Sequence, residues 1–597
     1  MAAGTRVLRV GETLLEPRAL PPPPTRHALF VIVVALAALV HCGTVYWGDL
    51  YSETEGQYAG AAREMLETGQ YFFPTNDSIP RLQKPPLLYW LIVASYKLFG
   101  ISAGAARMVI ALSVVATAAL IFLIGERLAD YWRGFAAALI YLTMAGTFTL
   151  ARIVMPEPLF GALIAGAIYC GLAGFQQRRH RRAWFAGFWV CTALACLTKG
   201  PHALLFSGGT FALLAIFYRE ARIRFRSLLW WPYLLLFAAL VLPWYVWVET
   251  HFNGSFHRFV AAEWAKHLIG RYPSGQPLDE VPRLTFVALH LVWWFPWSIA
   301  ALPAVIAALQ RIGRRRPVPF EEALPVSWAA VVLASSLLIG QRQDYYAVSM
   351  FGAFALWLAM MLDRTSAALR MLGAATVAAI GLALIITGLA SPHVISQTGS
   401  GWGRTTERWT TMRALQHIPT STWVQFRSPV ALGAASLIAG ALITTYLLYH
   451  KREKIAVVGI ALGMIPAGFC MIAGVAYLAP YFSLAPAARF LNTRLGTNGQ
   501  VVFEGPPGTA SSLGFYLEGK FAMVNQQPDP ALPLTLEQAN LFLDESATLE
   551  RWSAPRAVFL IIEQDRLNHW RELLIQHFHV YHQVATCGTY VVLCNQM

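Results

Sequence analysis

The chain has 597 residues, of which 56% are hydrophobic and only 13% are charged. A soluble domain carries about 25% charged residues, so this composition excludes an ordinary soluble protein. The net charge of +14 is concentrated in short loops between apolar runs. That distribution indicates membrane orientation and argues against nucleic-acid binding.

Residues 1–27, with a proline run at 21–24, are predicted to form a disordered cytoplasmic tail. Apolar runs of about 15–24 residues follow, which is close to the length that a helix needs to cross a bilayer. They cover residues 28–47, 86–99, 105–126, 134–150, 158–174, 184–198, 203–218, 229–247, 286–308, 325–340, 345–362, 369–390, 430–449 and 455–479.

The basic loops predict the topology. They lie near residues 178–182, 219–226, 311–316 and 451–454, and loops rich in Lys and Arg stay in the cytoplasm. These loops and the tail share one side only if one early run does not cross. The run 86–99 is the shortest and contains Lys97, so we expect it to lie at the membrane surface. The other 13 runs then cross, and the first loop (48–104) and everything after 480 lie outside.

Residues 480–597 have the composition of a small soluble α/β domain. Strands are predicted at 501–503, 557–562 and 590–593, and an amphipathic helix at 565–578. The sequence leaves open whether Cys587 and Cys594 form a disulfide. The predicted fold class is therefore an all-α polytopic membrane domain (28–479) followed by an α/β domain (480–597).

Charged residues of the first loop are candidates for chemistry at the membrane surface. Glu53 and Glu55 follow the first crossing helix, and Lys84 precedes the surface helix. A carboxylate can accept a proton from a hydroxyl or bind a metal, and a lysine can pair with a phosphate. The alternative is a solvated loop with ordinary surface charges.

Further candidates lie at the ends of later runs on the same predicted face. Glu157 stands between two prolines at the start of a run, and Lys199 ends another. Arg271, Arg342 and Tyr345 could reach a phosphate. The alternatives are a carboxylate favoured by a helix dipole and cations that extend to the interface.

The first loop resembles a known signature. The segment from Tyr58 to Met65, then Gly69, Pro74 and Lys84-Pro85-Pro86-Leu87-Leu88-Tyr89-Trp90, resembles that of the GT-C membrane glycosyltransferases. The nearest branch contains the protein O-mannosyltransferases and the bacterial aminoarabinose transferase that modifies lipid A. Met155-Pro156-Glu157-Pro158-Leu159 and Leu197-Thr198-Lys199-Gly200-Pro201 are similar to two further motifs.

The resemblance implies the GT-C fold and transfer of a sugar, with inversion, from a polyprenyl-phosphate carrier to an acceptor outside the membrane. It implies that a first-loop acid, Glu55 or its neighbour Glu53, acts on the acceptor. Thr54 stands where the family has Asp. A divalent metal is used in parts of the superfamily, which makes Glu55 and Glu157 candidate ligands, and Glu157 a third candidate acid.

The same resemblance suggests where the phosphate would bind. Lys84, Arg271 and Tyr345 match phosphate-contacting positions of the aminoarabinose branch, and Tyr58 and Lys199 belong to the matched motifs. We therefore expect a bacterial inner-membrane enzyme with a periplasmic site.

Other functions and several details stay open at this stage. A transporter or flippase would need charges or broken helices in mid-membrane, and a scaffold would use the C-terminal domain. The sugar, the carrier and the acceptor, whether lipid A, another glycolipid or a protein hydroxyl, are not decided by the sequence.

Overall fold

The structure is a computed structural model that describes residues 24–177, 179–254, 256–269, 281–340, 342–389, 418–496, 498–528 and 534–596. Arg271 and most of the predicted tail lie outside these residues.

The membrane domain is a helical assembly, and each predicted apolar run contains helix. Its helices are α1 Pro24–Ala37, α2 Glu55–Thr68, α3 Leu87–Phe99, α4 Ala103–Leu128, α5 Tyr131–Leu142, α6 Ala145–Thr149, α7 Pro156–Gln176, α8 Arg181–Lys199, α9 His202–Phe217, α10 Arg219–Leu228, α11 Trp231–His251, α12 Phe256–Ile269, α13 Arg283–Trp293, α14 Trp297–Gly313, α15 Phe320–Leu338, α16 Phe351–Met361, α17 Ala367–Leu389, α18 Thr420–Gln425, α19 Arg427–Tyr449 and α20 Val457–Phe482. A π-helical turn at Ala38–Cys42 extends α1, and a 3₁₀ turn at Asp344–Met350 precedes α16.

The lengths of these helices support a multi-pass membrane protein. Within the described residues, nine spans are long and apolar enough to cross a membrane, and two bent helix pairs raise the number to 11. The remaining two predicted spans correspond to α8 and to the shorter α9. Helix α3 has 13 residues and is therefore about 20 Å long, too short for a hydrocarbon core of about 30 Å. This length fits the predicted position of α3 at the membrane surface.

Two of the predicted spans, 134–150 and 286–308, are formed by bent helix pairs. The chain bends by 110° between α13 and α14, and by 62° between α5 and α6. Pro296 at the first break has no backbone N–H, which disfavours a continuous helix there. The Ala145 N–H donates to the Phe295 carbonyl at 2.9 Å, so the two breaks face each other.

The first loop begins with helix α2 and a two-stranded hairpin. Helix α2 ends at Thr68, because Gly69 has φ +72° and its N–H caps the Met65 carbonyl. Strands β1 Thr75–Asn76 and β2 Ile79–Pro80 pair across Asp77 and Ser78, which both have positive φ. Such a two-residue turn suits the twist of a hairpin.

The C-terminal domain contains a six-stranded sheet flanked by helices. Its elements are α21 Ala485–Asn492, β3 Gln500–Glu504, α22 Ser511–Tyr516, β4 Ala522–Val524, α23 Leu536–Ala539, β5 Phe542–Leu543, α24 Glu545–Trp552, β6 Val558–Glu563, α25 Leu567–Gln576, β7 His582–Cys587 and β8 Tyr590–Cys594. The strand order is β5-β4-β3-β6-β8-β7, with the first four parallel and β8 antiparallel to both of its neighbours.

The three predicted strands correspond to β3, β6 and β8, and the predicted helix corresponds to α25. No disulfide joins Cys587 and Cys594. Cys587 pairs with Tyr590 beside the β7–β8 turn, whereas Cys594 pairs with His582 at the far end of the ladder. The ladder therefore holds the two thiols apart.

The carboxyl edge of the sheet docks on the first loop. The Glu53 N–H donates to the Gly508 carbonyl at 2.8 Å, and the Ser52 and Ser512 hydroxyls are 2.6 Å apart. Gly508 and Ser512 lie just after β3, whose neighbours β4 and β6 connect in opposite directions. Open α/β sheets bind ligands at such a switch point. Here the first loop occupies this edge.

Candidate active site

Glu55 is held in a buried ion pair with Arg107. Glu55 lies in the first turn of α2 with 2% of its surface exposed, and Arg107 lies in the second turn of α4. The guanidinium donates to both carboxylate oxygens, at 2.8 and 2.6 Å. The backbone N–H groups of Tyr51 and Val154 donate to the same carboxylate at 3.0 and 3.2 Å. Both oxygens of Glu55 are therefore occupied.

Arg107 joins α4 to the segment that precedes α2. Arg107 also donates to the carbonyls of Trp47, Gly48 and Asp49, at 2.7 to 3.0 Å. Burial alone would raise the pKa of Glu55, but the adjacent Arg107 outweighs burial and holds that pKa below its ordinary value. A carboxylate with a lowered pKa and four donors is a poor proton acceptor. Its geometry fits a positioning role better than the role of base.

Glu157 has a different environment at the start of α7. It is 4% exposed, and its Oε1 lies 3.0 Å from the Lys199 Nζ at the end of α8. Its Oε2 is buried and has no hydrogen-bond partner among the described residues. Buried polar atoms are nearly always hydrogen-bonded, so an unpaired carboxylate oxygen is available to a ligand.

Tyrosines surround this second pair. The Lys199 ammonium lies 4.7 Å from the ring centroid of Tyr346, whose ring is 5.3 Å from that of Tyr345. Tyr58 and Tyr345 both interact electrostatically with Glu157. Burial raises the pKa of the Tyr58 hydroxyl, which therefore stays neutral. The site cluster, as we call Tyr58, Glu157, Lys199, Tyr345 and Tyr346, brings together residues from four separate segments.

Three other predicted residues lie outside the cluster or at its edge. Glu53 turns toward the C-terminal domain, where Thr509 donates to its Oε1 at 3.4 Å. Arg342 is 1% exposed and donates to the Ser336, Leu337 and Ile339 carbonyls at the end of α15, and to the Val281 carbonyl. A cation at a helix C-terminus satisfies free carbonyls. Lys84 is half-buried on the segment between β2 and α3.

The two residues predicted to bind a metal do not fit one as they stand. The charge of Glu55 is compensated by Arg107, and that of Glu157 by Lys199. The described residues contain no group of three or more His, Cys, Asp or Glu side chains that could hold a metal ion. Divalent cations need several oxygen ligands, so this donor set provides no such site.

Two arginines that contact predicted site residues, Arg107 and Arg81, were not among the residues predicted from the sequence. Arg107 lies inside the apolar run 105–126, and an ionisable residue within a span is a strong functional signal that could have found it. Arg81 lies in the first loop between β2 and Lys84, and its guanidinium is 4.9 Å from the Tyr58 ring centroid. No sequence pattern singles out Arg81, because only the folded hairpin brings it to Tyr58.

Known proteins resemble this chain in part of its sequence and in its architecture. A family described as dolichyl-phosphate-mannose-protein mannosyltransferase matches residues 83–247. An undecaprenyl phosphate-alpha-4-amino-4-deoxy-L-arabinose arabinosyl transferase of Proteus mirabilis is 26% identical over 277 residues, 45% of this chain and 48% of that protein. A Pseudomonas fluorescens protein of the same description is 28% identical over 301 residues, covering 49% of this chain and 50% of the relative. The matches thus span about half the length of these relatives.

The fold extends further than the sequence similarity. The crystal structure of ArnT from Cupriavidus metallidurans bound to undecaprenyl phosphate superposes with a TM-score of 0.78, at 19% identity, over 95% of this chain and 98% of that one. The chain has the GT-C fold. Its sequence resembles the branch with aminoarabinose transferases and protein mannosyltransferases, as the motifs predicted. Within the GT-C fold, the match at 83–247 contains both Glu157 and Lys199.

Proposed function

We propose that the protein is a glycosyltransferase that takes a sugar from a polyprenyl-phosphate carrier, with its active site on the periplasmic face of the bacterial inner membrane. The observation that carries the proposal is the buried Glu157–Lys199 pair of the site cluster, in which the Glu157 Oε2 has no partner among the described residues. The curated relatives support undecaprenyl phosphate as the carrier and a 4-amino-4-deoxy-arabinose as the sugar.

The chemistry assigns opposite roles to the two charges of the pair. The acceptor oxygen attacks the anomeric carbon and its hydroxyl proton passes to the free Oε2 of Glu157. The bond from the anomeric carbon to the phosphate oxygen breaks, and polyprenyl phosphate leaves with the electron pair. Lys199 stabilises the charge on the departing phosphate. Attack opposite the leaving group inverts the anomeric carbon.

Thr54 bears on the choice of base. It occupies the position where the family pattern has Asp, and it cannot accept a proton at neutral pH. Glu55 is tied to Arg107 and Glu53 faces the C-terminal domain. Of these three carboxylates, Glu157 is therefore the one that best fits the role of the catalytic base. The proposed mechanism includes no metal-dependent step.

The test uses the full chain in lipid nanodiscs with undecaprenyl-phosphate 4-amino-4-deoxy-arabinose and lipid A. Mass spectrometry should detect glycosylated lipid A with the wild type. Glu157→Gln should lower the turnover number about 10²–10⁴-fold, because it removes the base while keeping the shape. Glu518→Gln, an exposed change on the C-terminal domain, is the matched control.

Two outcomes would count against the proposal in different ways. If Glu157→Gln turns over like the wild type, Glu157 is not the base. If the wild type transfers no sugar from this donor or from undecaprenyl-phosphate mannose, to lipid A or to a protein hydroxyl, the proposed function itself is wrong.

A further inference from the structure

Arg81 is a cation of the first loop placed between two tyrosines. It follows β2, and its N–H donates to the Pro74 carbonyl at 2.8 Å, which fixes the backbone at the base of the hairpin. Its Nε donates to the Tyr89 hydroxyl at 3.0 Å, and its guanidinium carbon lies 4.9 Å from the Tyr58 ring centroid. The rings of Tyr58 and Tyr89 are 5.6 Å apart, so the two aromatic side chains hold the guanidinium.

The charge of Arg81 has no counterion within the part of the chain that the structure describes. No described carboxylate lies within 4.0 Å of it, although Arg107 and Arg63 on neighbouring elements each have one. Tyr58 and Tyr89 are neutral partners. Arg81 is half-buried, and a cation that is partly removed from water is costly unless it is paired, so an anion bound here would supply the missing charge.

The position of Arg81 points to the kind of anion. Tyr58 contacts Arg81 and interacts electrostatically with Glu157, so Arg81 borders the site cluster. In that cluster Glu157 already compensates Lys199, which leaves Arg81 as a net positive charge beside the pair. A guanidinium also presents parallel N–H donors that match two oxygens of one phosphate.

We infer that Arg81 binds the phosphate of the polyprenyl-phosphate donor and stabilises its charge as the sugar leaves. This inference rests on the proposed function and adds a phosphate-binding residue that the motifs do not contain. The bond to Tyr89 orients the guanidinium, and its remaining N–H groups serve the phosphate. The contribution grows during the reaction, because the donor's phosphodiester becomes a phosphate monoester with additional negative charge.

The experiment measures binding of undecaprenyl phosphate to the purified full chain in detergent by isothermal titration calorimetry. Arg81→Met should weaken binding about tenfold to a hundredfold, as expected for loss of charge-assisted hydrogen bonds. Arg81→Lys keeps a point charge but loses the paired donors, so its affinity should be intermediate. Arg63→Met is the matched control, since Arg63 pairs with Glu67 and the Phe515 carbonyl on another face of the first loop.

The outcomes separate this inference from the proposed function. If the wild type does not bind undecaprenyl phosphate at all, the proposed function fails first. If the wild type binds and Arg81→Met binds equally well, Arg81 serves only to hold the hairpin through its tyrosines, and the inference is wrong. If Arg81→Met does not fold, Arg81→Lys decides, because wild-type affinity in that variant contradicts a paired contact with phosphate.

Discussion

At the scale of single residues, Glu55 and Glu157 have different environments although both are buried and ion-paired. Glu55 has both oxygens occupied by Arg107 and by backbone donors, whereas one oxygen of Glu157 has no partner in the described part of the chain. The Val154 N–H links them, because it bonds Glu55 three residues before Glu157. Glu55 therefore contributes to the position of Glu157.

This link predicts the behaviour of a double-mutant cycle. Arg107→Met leaves Glu55 buried without its partner and should lower the free energy of unfolding by about 3–5 kcal/mol. Arg107→Met combined with Glu55→Leu should cost less than the sum of the two single changes, because no charge is then buried alone. Transfer activity should stay low in the double variant, since the loop before α7 has lost the hydrogen bond from the Val154 N–H to Glu55.

Thermal unfolding in detergent and sugar transfer measure the two quantities separately. Additive losses of stability would mean that the two side chains do not act as a pair. Full activity in the double variant would show that Glu157 does not depend on Glu55.

At the scale of elements, helix α2 is held by close approach to the C-terminal domain. A Cβ at Gly56 would lie 2.5 Å from the Ser512 N and 2.6 Å from the Ser511 carbonyl carbon, both of them backbone atoms. One turn later, a Cβ at Gly60 would meet nothing nearer than the Asn76 Oδ1 at 3.6 Å. The contact between α2 and α22 therefore requires glycine at position 56 but not at position 60.

We expect Gly56→Ala to separate α2 from α22 and to lower the free energy of unfolding by about 1–3 kcal/mol. Gly60→Ala is the control in the same helix, and it should stabilise slightly because alanine favours helix. Thermal unfolding and limited proteolysis of the first loop test the pair. Equal stability of the two variants would contradict the tight contact.

The stability of the β1–β2 hairpin in the first loop should depend on pH. Asp77 lies at its tip with a buried Oδ2 that lacks a described partner. Burial and the nearby Glu64 raise the pKa of Asp77 to about 7, with Lys520 opposing the shift. A raised carboxyl pKa means that the folded state binds the proton more tightly. The stability it contributes is present below about pH 4 and is lost as the pH rises to about 7.

Asp77→Asn should therefore reduce the loss of stability between pH 5 and pH 8. Asparagine keeps the shape of the side chain and tolerates the left-handed backbone of this position, where φ is 52°. Hydrogen exchange of residues 71–82 at the two pH values gives a local readout. The same pH dependence in Asp77→Asn and the wild type would mean that another group titrates.

At the scale of the whole molecule, the sidedness of the loops rests on the distribution of basic residues. The predicted topology puts the turn after α3 outside and the basic loop before α8 inside. Ile101 is 44% exposed in that turn, and His180 is exposed in the basic loop. Cysteines at these two sites can therefore report the side directly.

In intact cells, a membrane-impermeant maleimide should label Ile101→Cys but should label His180→Cys only after permeabilisation. The unmodified chain, whose seven cysteines are buried or half-buried, gives the background. Labelling of His180→Cys instead of Ile101→Cys in intact cells would contradict the predicted position of α3 at the surface. Labelling of both sites would contradict the three crossings predicted between them.

The sequence by itself determined the number and length of the apolar runs, the shortness of helix α3 and the α/β character of the C-terminal domain. These features follow from local composition and period, which act within a single segment of chain. Motifs likewise marked Glu157 and Lys199, and the resemblance marked Tyr345; each of the three stands at one end of an apolar run. Strands β4 and β5 have only three and two residues and carried too little local signal, and the six-residue β7 was not predicted either.

Only the tertiary structure decided which charges meet. The partners Glu55 and Arg107 are 52 residues apart, and the hairpin sets Arg81 against Tyr58. Pairing of this kind depends on how helices and loops pack, and no local pattern encodes it. The same packing places Glu53 against the C-terminal domain and Arg342 at the end of α15. It also places the Glu157 carboxylate in the site cluster.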